Sequence, residues 1–272
     1  MNFEFIYNEY ILIWNLLFRQ SISKEINDSK QKIWINYKKE YNALFYDKDN
    51  ILSDPKNYIP KDDTIYNIVK ELNFYPEIEK KVEKFRLTLI REWDKVRKPF
   101  NKYLKELLRI DLNNYKVYVI DSRLEVTDIV DLKDKKVIIY ASSLTNEYLI
   151  ENLVYKIVHS EIKISNHDDI VNACLELVLR NEVPTRITGK SHYLDGRKTL
   201  QALKKQIYPY FLMYMGVKKE DFIFYMRRDG IIFDESSFAY NDKLKDMNIF
   251  SFIDFCIKNV EYAIKVEDLE IL

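Results

Sequence analysis

Three histidines and two cysteines are all the chain offers in side chains that bind metals or titrate near neutral pH. The most suggestive is His159, which ends the run "ENLVYKIVH" (151–159), with Tyr155 four residues before it and Lys156 three. Residues four apart share a helix face. Tyr155 and His159 should therefore project from one flank of an apolar stripe built by Leu149, Leu153 and Ile157, with Ile150 and Val154 beside them. A carboxylate could come from Glu176 in "NACLELVLR", with Glu182 a second choice on the opposite flank of that helix. "HSEIKISNH" offers His159, Glu161 and His167 as a different metal cluster. Glu161 follows His159 by two positions and so takes another helix face, and His167 falls in a loop.

The elements that must position these residues are mostly helical. Phe85, Leu89, Trp93, Val96, Phe100, Leu104 and Leu107 recur at three- and four-residue steps, predicting a long helix from Glu77 to about Arg109. Pro99 lies inside it and should kink it. "YKVYVID" (115–121) and "KKVIIYA" (135–141) read as strands, and "SRLEVTDIV" between them as a weaker third. The helix with His159 should span about 146–163, capped by Ser142, Ser143 or Thr145, with Glu147 against its N-terminal dipole. Asp168 should cap the next helix, "DIVNACLELVLRNE". Further helices are expected at about 197–215, 219–227 and 247–265.

Before the long helix, residues 1–46 read as helical, anchored by the aromatic side chains of Trp14, Trp34 and Tyr37. "DKDNILSDPKNYIPKDD" (47–63) is dense in turn residues, and "NFYPE" (73–77) makes a second break. The expected arrangement is α+β and helix-dominated. Residues 1–75 would form an N-terminal helical extension, and 76–272 a main domain with a sheet of two to four strands and a helical tail.

This order, with "YKIVH" on the helix after the last strand, resembles the small zinc peptidases of the gluzincin class (minigluzincins) over about residues 77–185. In that class the motif helix carries His-Glu-x-x-His. Two histidines at i and i+4 reach one zinc, the glutamate beside them acts as general base on the bound water, and a glutamate on the next helix completes the ligands. The resemblance places "KKVIIYA" on the edge strand, Tyr155 where the first ligand belongs, Lys156 at the general base and His159 at the second ligand. It makes Glu176 the third ligand and gives the His192–Tyr193 loop the place of an oxyanion donor. A phenol is a rare zinc ligand, and an ammonium cannot accept a proton. Two remaining ligands, His159 and Glu176, are fewer than the three a catalytic zinc takes. The resemblance thus implies a peptidase-like fold with no catalytic residue and no expected cofactor, acting by binding a protein or peptide. The Lys156 ammonium would stand where the metal was and pair with Glu176, or else be a solvated helix lysine. The alternatives are an active zinc peptidase with atypical ligands, and a helical interaction module unrelated to this class.

The totals agree with a binding role inside the cell. Lys and Arg number 43, as do Asp and Glu, so no overall field draws the chain to nucleic acid or an anionic membrane. Cys174 and Cys256 read as small buried thiols of a reducing compartment. The apolar N-terminus "MNFEFIYNEYILIWNLLFRQ" is interrupted by Glu4, Asn8, Glu9 and Asn15 and reads as a packed amphipathic helix. A cytoplasmic protein is expected. "VKKEDFIFYMRRDG" and "IWINYKKEY" mix basic and aromatic residues as single-strand binders do, although Phe222, Phe224 and Tyr225 are expected to face the core.

Overall fold

The run Val137–Tyr140 carries branched or aromatic side chains at every position, as a strand covered on both faces requires, and all four residues are buried. It is the central part of the sheet around which the chain is built. The computed structural model describes residues 1–124, 127–132, 135–144, 148–162, 167–193, 195–231 and 239–260. The expected caps Thr145 and Glu147, and the tail beyond Val260, lie outside them.

The chain is α+β and helix-dominated. In order it forms strand β1 (Asn2–Ile6), then helices α1 (Glu9–Phe18), α2 (Lys24–Asn36), α3 (Lys38–Tyr46), α4 (Lys48–Ser53), α5 (Thr64–Lys70) and α6 (Tyr75–Leu108). Strands β2 (Asn114–Val119), β3 (Thr127–Leu132) and β4 (Lys135–Tyr140) follow. Then come α7 (Leu149–Glu161), α8 (Asp168–Glu176), a π-helical segment (Leu177–Glu182), α9 (Val183–Thr188), α10 (Gln201–Tyr214), α11 (Phe222–Asp229) and α12 (Ile249–Asn259). Among the described residues no helix is long and apolar enough to cross a membrane.

The chain divides into two compact units, residues 1–97 with 112–153, and residues 98–111 with 154–272. The division falls within α6 and α7. The first unit holds the sheet, in the order β1-β2-β4-β3. β1 and β4 each run parallel to β2, with Phe5 opposite Val117 and Val117 opposite Ile138, and β3 runs antiparallel to β4. The structure corrects two expectations. The N-terminus opens as a strand, because Phe3 and Phe5 alternate with Glu4 and turn both rings inward, at 5% exposure each. "KKVIIYA" lies inside the sheet, since β3 covers its outer edge. β4 is tied to the first turn of α7 by the Tyr140 hydroxyl, which donates to the carbonyl of Leu149 at 2.9 Å.

Helix α6 continues through Pro99 as one 34-residue element, and its expected stripe is buried at Leu89, Trp93, Phe100, Leu104 and Leu107. Arg109 ends it with φ of 53°. In the second unit its guanidinium donates to the carbonyls of Tyr214 and Met247 at 2.8 and 2.7 Å, joining the end of α6 to α10 and the approach to α12. Asp168 is the first residue of α8 rather than its cap. His167 takes the cap position without a side-chain bond, and Asp168 favours the helix by its charge in the first turn. Of the aromatic residues expected inside, Trp14 and Phe222 are buried, whereas Trp34, Tyr37 and Phe224 are exposed.

Candidate functional site

The second unit gathers its charged chemistry around Glu176, the last residue of α8. Its carboxylate is fully buried, in a position that an apolar helix face dictates, since Ala173, Cys174 and Leu177 around it are also buried. A buried carboxylate must be paired, and this one has three cations. Arg197 donates to it twice, from its backbone N–H at 3.3 and 3.2 Å and from Nε at 3.1 Å. Arg180, one turn along the same helical run, reaches it through Nη1 at 3.4 Å. Lys204 of α10 places Nζ 3.6 Å from Oε2.

Lys204 is itself fully buried. Two buried charges stabilise a fold only when the remaining donors are also satisfied. Here Nζ donates to Asn181 Oδ1 at 3.0 Å and to the carbonyls of Tyr193 and Asp195 at 3.2 and 2.9 Å. Burial pulls this ammonium below its ordinary pKa, and the nearby Glu176 charge opposes the shift. Asn181 donates to the carbonyls of His192 and Asp195 at 2.6 and 3.0 Å. One lysine and one asparagine thus hold the backbone of His192, Tyr193 and Asp195 from beneath. The π turn supplies Arg180 and Asn181 as neighbours, a geometry often found at functional sites.

Gly196 explains how this loop comes so near. Its φ is +108°, and a Cβ there would stand 2.2 Å from Glu176 Oε2. Only glycine permits both the backbone conformation and the approach.

Tyr155 and His159 share one flank of α7 as expected, with rings stacked at 5.9 Å. The Tyr155 hydroxyl accepts from Arg197 Nη2 at 2.7 Å and donates to Asn172 Oδ1. Arg180 lies over the Tyr155 ring, its guanidinium carbon 5.0 Å from the centroid. Burial raises the phenol pKa to about 12, with Arg197 working against the shift, so it stays protonated at neutral pH. Burial also pulls the His159 imidazole below its ordinary value; Asp168 opposes this, while Lys156 and Arg197 add to it.

The structure therefore brings Tyr155, His159 and Glu176 into one network through Arg180 and Arg197. It does not bring in Lys156. That residue is exposed on α7, so the pairing expected with Glu176 gives way to the three cations above. Glu182 has its own partners, Arg186 Nε at 2.9 Å and Arg228 Nη2 at 2.8 Å. Arg228 also pairs at 2.8 Å with the buried Asp229, which accepts from Ser191 at 2.6 Å. His192 braces its own loop, with Nδ1 2.7 Å from Asp195 Oδ2 and Nε2 3.0 Å from Thr188 Oγ1. Among the described residues no three His, Cys, Asp or Glu side chains converge as metal ligands, and the His159, Glu161 and His167 trio forms no such group.

The residues present do not fit a zinc ion. Glu176 has given its lone pairs to cationic donors, Tyr155 keeps its proton, and a divalent ion would enter among three positive charges. What the arrangement can do is hold an anion. Arg180 makes no hydrogen bond other than that to Glu176 among the described residues, and its side chain is 26% exposed. Arg197, at 43% exposure, keeps Nη1 free.

Arg180, Asn181, Arg197 and Lys204 escaped the sequence reading. Arg180 carried a signal, since it follows Glu176 by four positions, the spacing of a helical ion pair. The others meet Glu176 only through the tertiary fold. Compared with family models, curated proteins and solved structures, the chain matches none.

Proposed function

We propose that this protein acts by binding rather than hydrolysis, and that the cluster around Glu176 receives the carboxylate of a peptide or protein partner. The observation that carries this reading is the charge imbalance. Three cations surround a single buried carboxylate, and two of them, Arg180 and Arg197, keep N–H donors towards solvent. Guanidinium groups bind carboxylates through paired, charge-assisted hydrogen bonds, and these are strongest where the surroundings are part-buried. Glu176, Tyr155 and Asn172 would hold the two arginines in place before the ligand arrives, so little ordering is needed on binding. The degenerate motif positions then have a use. Tyr155 orients Arg197 and supports Arg180 beneath its ring, while Lys156 remains a surface lysine.

The test is binding of short fluorescent peptides with a free or an amidated C-terminus, read by anisotropy. The free acid should bind about tenfold or more tightly than the amide, a margin expected for a charge-assisted pair. Arg180→Ala should remove the difference. Equal binding of acid and amide, or cleavage that disappears in His159→Ala, would overturn the reading.

A further inference from the structure

In the first unit the end of α1 and the junction of α3 with α4 enclose an open cavity of about 420 Å³, a volume typical of small-molecule sites. Its walls are aromatic. Trp14 forms the floor at 6% exposure, and Phe45 and Tyr46 stand at the rim, 49% and 82% exposed. Phe18 lies between, its ring 5.1 Å from Trp14 and 5.3 Å from Phe45. Two cations share the cavity, with Lys48 Nζ 5.2 Å and Arg19 Cζ 5.9 Å from the Trp14 ring.

Two buried donors of this cavity have no acceptor. The indole N–H of Trp14 and the Nε–H of Arg19 are both shielded from solvent and unpaired, a state that native interiors rarely tolerate without a ligand or water. Arg19 spends another nitrogen on Asp128. Lys48 has no carboxylate partner among the described residues. Asp49, exposed beside it, adds one acceptor to the lining.

We propose that this cavity binds a nucleoside monophosphate. The base would stack on Tyr46, Phe45 and the Trp14 floor. The phosphate would draw the Lys48 ammonium off the indole face and share it with Arg19, and the ribose hydroxyls would donate to Asp49. A planar ring suits the aromatic walls whatever its sequence identity, because every base has a π face. The anion answers the unpaired donors, and Asp49 gives the sugar an acceptor that a simple aryl acid would leave unused. An aromatic amino acid is the nearest competitor, its ammonium on Asp49 and its carboxylate on Lys48, but it fills less of the cavity.

Isothermal titration of the full chain with AMP, adenosine, inorganic phosphate and tryptophan tests this. AMP should bind saturably at one site, with adenosine and phosphate each about tenfold weaker or more, since each lacks half the contacts. Tyr46→Ala and Lys48→Ala should each weaken AMP about tenfold. Both residues are at the surface, so an unchanged thermal melt shows that the variants fold. No saturable AMP binding, phosphate as tight as AMP, or tryptophan tighter than AMP would overturn the proposal. Arg180→Ala should leave AMP binding unchanged, which keeps this site separable from the one around Glu176.

Discussion

The ammonium of Lys204 lies 3.6 Å from the carboxylate of Glu176, and both side chains are fully buried. A pair of this kind adds little net stability against an apolar substitute, yet breaking it leaves a charge stranded in a low-dielectric interior. Lys204 also holds the carbonyls of Tyr193 and Asp195, so one side chain fixes the loop and balances the acid.

Replacing Lys204 with methionine should therefore destabilise the protein by about 3 kcal/mol or more. Urea unfolding would measure this. A double-mutant cycle with Glu176→Gln should show strong coupling, and additive effects would mean that the two charges do not interact.

Two glycines separate backbone strain from contact with the acid. At Gly189, φ is +73° and nothing would stand within 4 Å of an added Cβ. Gly189→Ala should cost about 1 kcal/mol of conformational strain alone. Gly196→Ala adds a collision with a buried carboxylate and should cost about 2 kcal/mol or more. Equal losses in the two variants would show that Glu176 does not lie against Gly196.

The fold was largely legible because its signals are periodic. The α6 stripe and the apolar run of β4 follow directly from spacing. β1 also carried its alternation at Phe3 and Phe5, but the longer helical run from Glu9 onward masked it. The site was half legible. Tyr155 and His159 sit four apart on one helix, whereas Arg197 meets Glu176 across 21 residues and Lys204 meets it from a separate helix. No local pattern encodes such meetings, and none marks the π turn that brings Arg180 and Asn181 together.

Because burial holds the His159 imidazole below its ordinary pKa, the unfolded chain binds this proton more readily than the folded one. Stability from this group is complete above about pH 6.5, the unfolded value, and is lost as pH falls through the folded value. Proton NMR titration should find one of the three histidines titrating below the other two, and that signal should vanish in His159→Gln. A His159 value at or above the ordinary one would contradict this.

Cys174 and Cys256 are fully buried. Burial, and then the Cys174 thiol beside it, push the Cys256 thiol well above its ordinary range. Only the thiolate reacts, so an aromatic disulfide reagent should label neither cysteine until the protein unfolds. Fast labelling of the native chain would show that α8 and α12 open far more readily than their packing implies.

Zinc binding separates an anion-receiving cluster at Glu176 from a peptidase site. Equilibrium dialysis against zinc, followed by elemental mass spectrometry, should give well under one ion per chain at micromolar metal. His159→Ala should leave that value unchanged, because Glu176 is already held by Arg180, Arg197 and Lys204. One tightly held zinc per chain, lost in both His159→Ala and Glu176→Gln, would contradict it.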